Sequence, residues 1–253
     1  MSNVKFSGLK GQALAINIKD IPSLKEFQDV IPAHFFKSNT RTSLRYLFQS
    51  VLIQAVVFAI GLRIPCTSTM LPIWILYAFL SGTTAMGFWV LAHECGHGAF
   101  SRNKTLETVI GYLLHSLLLV PYFSWQRSHA VHHRFTNNVT NGETHVPLVI
   151  HGNGITEKVG GEKEIAFSKL LGKKKYGIFQ LVLHLIFGWP AYLLTGSTGG
   201  LKYGTSNHFW PTKPFSKELW PSIWAKKVWI SDIGVVLTLL GVIFLISKYG
   251  IFS

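Results

Sequence analysis

Residues 70–97 read MLPIWILYAFLSGTTAMGFWVLAHECGH. Met70 to Ala92 carries no charged side chain. At about 1.5 Å of rise per residue, a helix of that length covers the roughly 30 Å hydrocarbon core of a bilayer. The run ends on His93-Glu94-Cys95-Gly96-His97, which sets two imidazoles at i and i+4 on one helical face. A polar ring at the edge of a membrane costs free energy unless it is paired or ligated, so this placement signals function. The stretch predicts an all-α integral membrane protein whose spans deliver a histidine-rich, metal-binding region to one face.

Upstream, Tyr46–Leu62 is a shorter apolar run between Arg45 and Arg63, and only Arg63–Thr69 separates it from the next, so the two form a helical hairpin. Residues 1–45 carry Lys5, Lys10, Lys19, Lys25, Lys37, Arg41 and Arg45, whereas the connecting turn has Arg63 alone. By the positive-inside tendency the amino terminus, and with it His93, faces the cytosol. Downstream, Ile230–Ile246 is a third span despite Asp232. Val109–Phe123, with Gly111, His115 and Pro121, reads as an interfacial or half-buried helix. Ile178–Thr195 is interrupted by His184, Gly188 and Pro190 and reads as re-entrant or interfacial. The organisation is therefore a cytosolic amino-terminal segment, 1–45, and one membrane domain, 46–253. The Gly- and Lys-rich stretch 152–175 is a solvated loop, and no secretory signal peptide precedes the first span.

Composition agrees with lipid as solvent. Charged residues make up 14% of the chain and hydrophobic residues 48%, against about 25% charged in soluble domains. The net charge of +13 excludes a nucleic-acid binder in the usual sense, because the basic residues flank apolar runs rather than forming an aromatic-interleaved patch. Anionic lipid headgroups are the partner that this pattern suits. The two cysteines, Cys66 and Cys95, form no disulfide framework and are expected as thiols.

A second histidine group, His129, His132 and His133, follows the first by about thirty residues. Spacing of i, i+3 and i+4 again gathers the rings on one helical face. Five histidines in two such groups are a metal-binding pattern, although imidazole alone suits iron, zinc, copper and nickel equally.

The segment His93-Glu94-Cys95-Gly96-His97-Gly98-Ala99-Phe100-Ser101 resembles the first histidine box of the membrane fatty acid desaturases, in the form of the Δ12 (ω-6) oleate-type enzymes. Trp125-Gln126-Arg127-Ser128-His129-Ala130-Val131-His132-His133, followed by Thr136-Asn137, is similar to their second box. Ile31-Pro32-Ala33-His34-Phe35-Phe36, Gly188-Trp189-Pro190 and Asn207-His208-Phe209-Trp210-Pro211 are further short matches. The resemblance implies a fatty-acyl desaturase, an oxidoreductase that inserts a cis double bond while O2 is reduced to water. It implies two iron ions held by His93, His97, His129, His132 and His133, with His208 as an extra metal-site residue, directly or through water, and Glu94 and Asn207 in support. It also implies a membrane-lipid or fatty-acyl substrate, a cytochrome b5-type electron donor, and residence in the endoplasmic reticulum with the metals on the cytosolic face. The family has a third histidine box. No histidine follows His208 here, so the chain is expected to be an incomplete form, inactive alone.

Three other readings remain open. The related di-iron hydroxylases of lipids and carotenoids use the same ligands. His-Glu-x-x-His is also the zincin signature, in which Glu94 would be the general base of a membrane metalloprotease and Asp232 a distant ligand. A non-catalytic membrane partner, forming homo- or hetero-oligomers with a desaturase, is the third.

Overall fold

The computed structural model describes residues 21–136, 138, 140–146, 169–196, 199 and 202–249. Among the described residues every regular element is helical. In chain order the helices are α1 (Leu24–Val30), α2 (Thr40–Gly61), α3 (Leu71–His97), α4 (Lys104–Leu117), α5 (Tyr122–Arg134), α6 (Lys173–Leu183), α7 (Trp189–Thr195) and α8 (Ile223–Tyr249). Helix α1 belongs to a small unit that ends at Ser38, and the other helices belong to a second unit that begins at Asn39. Expectations about residues 1–20, Asn137 and most of the 152–175 loop lie outside the described residues.

Local chemistry sets the helix ends. Asn39 Oδ1 accepts from Thr42 N and starts α2 six residues before the apolar run begins. Polar residues up to Arg45 join this helix because capping supplies a partner for an orphan N–H, whichever solvent lies outside. Helices α2 and α3 pair through the short turn expected at Arg63–Thr69, and Gln54 ties them by bonding Ser81 Oγ and Thr84 Oγ1. Helix α3 runs unbroken through His97 and stops at Gly98, whose φ of 78° is left-handed. Glycine enters that region without Cβ strain.

Among the described residues four helical segments are long and apolar enough to cross a membrane: Thr40–Gly61, Ser68–His97, Lys173–Thr195 and Ile223–Lys248. Their side chains point largely outward, with Phe79 70% and Leu237 63% exposed. In water such surfaces would cost about 25 cal/mol per Å2, so the solvent around them is lipid and the chain is an integral membrane protein. The 178–195 run differs in form from the interrupted segment expected. The chain stays helical from Lys173 to Thr195, through both Gly188 and Pro190. A π-helical turn over His184–Gly188 makes this possible. Widening the turn gives room to the proline ring and to the carbonyl it would otherwise strike.

The Val109–Phe123 region is two helices rather than one. Helices α4 and α5 meet at 105° across a break of four residues, where Leu119 is left-handed and Pro121 precedes α5. The bend folds α5 across the end of α3, and both α4 and α5 pack on α8. Phe123 N donates to Ser231 Oγ at 2.8 Å and Tyr112 Oη donates to the Ile230 carbonyl at 2.8 Å. The buried core lies here, where α4 and α5 pack against α3 and α8. One cluster is Val120, Trp125, Tyr192 and Leu193, and another is Val131, Tyr203, Leu219, Trp220 and Val228.

Candidate metal centre

Helices α3 and α5 each present one i, i+4 pair of imidazoles, and the crossing brings the pairs face to face. His129 Nε2 lies 2.8 Å from His93 Nε2, 3.1 Å from His97 Nε2 and 3.1 Å from His133 Nε2. His97 Nε2 and His93 Nε2 are 3.3 Å apart. One ligand atom from each of the four rings falls within 4.8 Å of all the others. Each of these ring nitrogens must either donate or accept, so His129 Nε2 cannot be satisfied by all three neighbours at once, whereas a cation between the rings takes a lone pair from each. Two imidazoles on one ion at about 2.1 Å would bring their ring centres to about 4.5–5.5 Å. The centres of five of the six ring pairs are 4.5–4.9 Å apart. The residues therefore fit a metal ion.

The aromatic floor fixes this geometry. Trp125 stacks on His129 at 4.6 Å and 20°, and Trp89 stacks on His93 at 5.5 Å. His115, fully buried, meets the edge of Trp125 at 4.6 Å. Gly96, between the two histidines of α3, lets the Trp125 ring come close, since a Cβ there would lie 2.6 Å from Trp125 Cζ3. Gln126 Nε2 donates to the Gly96 carbonyl at 3.2 Å and completes the tie. Gly96→Ala is expected to push Trp125 off His129 and weaken metal binding by about tenfold, the scale seen when groups that orient ligands are lost. An equilibrium titration of purified protein with Co(II) checks this.

Glu94 does not point at the convergent nitrogens. Its Oε1 lies 3.1 Å from His93 Nδ1, on the far side of the ring. A carboxylate there accepts the Nδ1 proton and leaves Nε2 free as the ligand atom. That is an orienting position, not the position of a base acting on metal-bound water.

The structure does not bring His132 or His208 into the four-histidine group. His132 turns its Nδ1 to the Thr144 carbonyl, to which it donates at 3.0 Å. His208 is fully buried, its ring 4.5 Å from Tyr192 and 5.2 Å from Trp220. Burial pushes its pKa down to about 3, so it stays neutral. Asn207 spends its side chain on the backbone, donating to the Leu194 carbonyl and accepting from Phe209 N and Trp210 N. It shapes the loop that seats His208.

Glu143, which the sequence does not single out, is 1% exposed. Its Oε2 accepts from Ser128 Oγ at 2.6 Å, and the Tyr192 hydroxyl closes the chain on the same serine. This carboxyl braces α5 one residue before His129. Burial pushes its pKa up to about 7.

Apolar spans that end in convergent histidines define a class of membrane protein with a polyhistidine metal site. The fatty acid desaturase family model matches residues 69–251, and the chain belongs to that family. Its relatives include a Delta(12) fatty acid desaturase, DES8.11, of Calendula officinalis, 33% identical over 90% of this chain and 57% of its own length. The oleate hydroxylase FAH12 of Claviceps purpurea is 30% identical over 90% of this chain and 51% of its own. An endoplasmic reticulum omega-6 fatty acid desaturase of Glycine max, isozyme 1, is 30% identical over 99% of this chain and 64% of its own. This chain thus spans between half and two thirds of the length of these relatives. No solved structure matches it.

Proposed function

We propose that the chain carries the metal-binding core of a Δ12-type fatty-acyl desaturase, an oxidoreductase that uses two iron ions. The observation that carries this reading is the convergence of four Nε2 atoms at the end of an apolar span. His93, His97, His129 and His133 would hold iron, with His132 and His208 as further ligand residues. Bound iron would supply the oxidising power to remove two hydrogens from adjacent methylenes, these two hydrogens together with two electrons from a donor and two protons reducing O2 to two waters; acid–base groups cannot attack such C–H bonds. The protein's part is placement. Glu94 sets the tautomer of His93, Trp125 and Gly96 set the spacing of α3 and α5, and Glu143 and Tyr192 brace Ser128 behind His129.

The acyl chain would reach the site from the lipid around α3 and α6–α7. The surplus of lysine and arginine at 1–45 supports a site on the cytosolic face, and a basic face would suit an acidic donor of the cytochrome b5 type. Similarity to the Glycine max isozyme supports the endoplasmic reticulum. Association with a second desaturase chain is part of the same reading.

Expression of a polypeptide carrying this chain in a host whose membranes hold oleate but no dienes tests the proposal. A new Δ12 double bond supports it. An oleate hydroxylated at the same position instead favours the second reading, a hydroxylase, which the Claviceps purpurea relative motivates. In that host His93→Ala is expected to abolish product, whereas Glu94→Gln lowers it about 10- to 100-fold by loosening the His93 tautomer. Equal abolition would give the carboxylate a direct role.

A further inference from the structure

Helix α5 carries chemistry on two faces. His129 and His133 face the histidines of α3. Arg127, Ala130, Val131 and Arg134, at i, i+3, i+4 and i+7, share another face. That second face forms one wall of a cavity of about 350 Å3, which Lys202 and Tyr203 close from the segment after α7. The floor is firm, because Val131 and Tyr203 are buried in one cluster with Leu219 and Trp220. Ala130, with only a methyl group, leaves the space between the two arginines open.

The charges around this cavity do not balance. Arg127, Arg134 and Lys202 stand against a single lining carboxylate, Glu218, a surplus of two positive charges. Among the described residues none of these four forms an ion pair. Arg127 Nε donates to the Leu219 carbonyl at 3.4 Å and its guanidinium lies 5.9 Å from the Trp224 ring, which leaves both Nη groups as donors. Lys202 Nζ donates to Asn141 Oδ1 at 3.1 Å, a neutral partner that positions the ammonium without discharging it. Arg134 rests over Phe135 at 5.5 Å. Guanidinium donors around a small cavity suit a tetrahedral oxyanion, which arginine takes through paired N–H groups. A phosphate monoester, at about −1.5 to −2 near neutral pH, matches the surplus, whereas a zwitterionic headgroup does not.

Position agrees with a lipid surface. Leu219 and Trp220, beneath the cavity, come just before the span Ile223–Lys248. Near the start of that span Trp210 and Trp229 meet at 5.1 Å, and Lys227 lies over Trp224 at 4.4 Å. Tryptophan and lysine at the end of a span mark headgroup depth. We propose that Arg127, Arg134 and Lys202 form a phosphate-monoester site on the arginine face of α5, filled by an anionic lipid headgroup or by a soluble phosphate. The site is separate from the metal centre and stands whether or not that reading holds. A ligand there would tie α5 to the segment that carries Lys202.

The test is calorimetric titration of the purified chain in a neutral detergent with dihexanoyl phosphatidate, dihexanoyl phosphatidylcholine and inorganic phosphate. Saturable binding of one phosphatidate per chain is expected, about tenfold or more tighter than binding of phosphatidylcholine. Inorganic phosphate that binds as tightly as phosphatidate makes the soluble anion the ligand, and weaker inorganic phosphate makes it the lipid; both results support the site. Arg134→Gln should weaken phosphatidate about tenfold or more. Ala130→Phe, which fills the cavity and keeps every charge, should do the same. Glu218→Gln should tighten binding by removing the opposing charge. Arg134 and Ala130 are exposed, so these two variants keep the test decisive if Arg127→Gln, which also loses the bond to Leu219, folds poorly. Phosphatidate binding that is unaltered in either Arg134→Gln or Ala130→Phe overturns the site, as does a wild type that binds neither phosphatidate nor inorganic phosphate.

Discussion

His129→Ala is expected to reduce metal affinity at the four-histidine group by more than about 100-fold. The size follows from position. The His129 Nε2 lies within 3.1 Å of the Nε2 atoms of His93, His97 and His133, and no other ring of the group makes three such approaches. Loss of a group that merely orients a ligand costs about 10–100-fold, so removing the ligand at the hub should cost more. Truncation would also strip the ring on which Trp125 stacks at 4.6 Å within α5, loosening the side chain that packs on Gly96 of α3. His133→Ala serves as the comparison, because its Nε2 is close to that of His129 alone. It is expected to cost less, on the order of tenfold. Competition with a chelator of known affinity reads both variants. Equal losses would refute the hub.

Much of this centre was legible in the sequence because helical periodicity is local. Two groups at i, i+3 and i+4 could be assigned to helix faces without knowing how the helices cross, and the apolar run before His93 fixed the membrane setting. The hairpin of α2 and α3 was legible for the same reason. Crossing itself was not. That α5 folds back over α3 depends on a 105° bend at Leu119–Pro121 and on a glycine, Gly96, small enough to admit Trp125. Neither residue carries a pattern that predicts its partner.

The remaining parts of the site were invisible for a related reason. Glu143 and Tyr192 are single residues whose meaning comes from contacts with Ser128 of α5, 15 and 64 positions away. Helix ends moved outward from the apolar limits, to Thr40 and Ile223, because caps and side-chain bonds rather than hydropathy stop a helix. Similarly, Gly188 and Pro190 did not break their helix, since a π-turn absorbed the proline. His208 shows how a motif can be recognised while its surroundings stay hidden. Its seat between Tyr192 and Trp220 is made by residues 16 before and 12 after it.

Glu143→Gln is expected to make the protein more stable at alkaline pH, although it changes a buried residue that braces the site. Glu143 is 1% exposed, and burial raises its pKa from the usual 4.5 to about 7. A carboxyl whose folded pKa lies above its unfolded pKa holds a proton in the folded state that the unfolded chain has given up. Its contribution is therefore fully present below about pH 4.5 and is lost as pH rises through about 7. A shift of this size corresponds to about 3 kcal/mol between the two limits, an apparent Tm difference on the order of 10 °C for a chain of this length. Glutamine keeps an oxygen to accept from Ser128 Oγ and cannot ionise, so its chain should not share the loss. Thermal unfolding in detergent at pH 5 and pH 9 reads the difference. The wild type should fall by several degrees more than Glu143→Gln between the two, while Glu143→Ala, which leaves Ser128 and Tyr192 without their carboxyl, should be less stable than both at pH 5. If wild type and Glu143→Gln fall in parallel, Glu143 is already ionised at neutral pH and its burial is compensated by a partner.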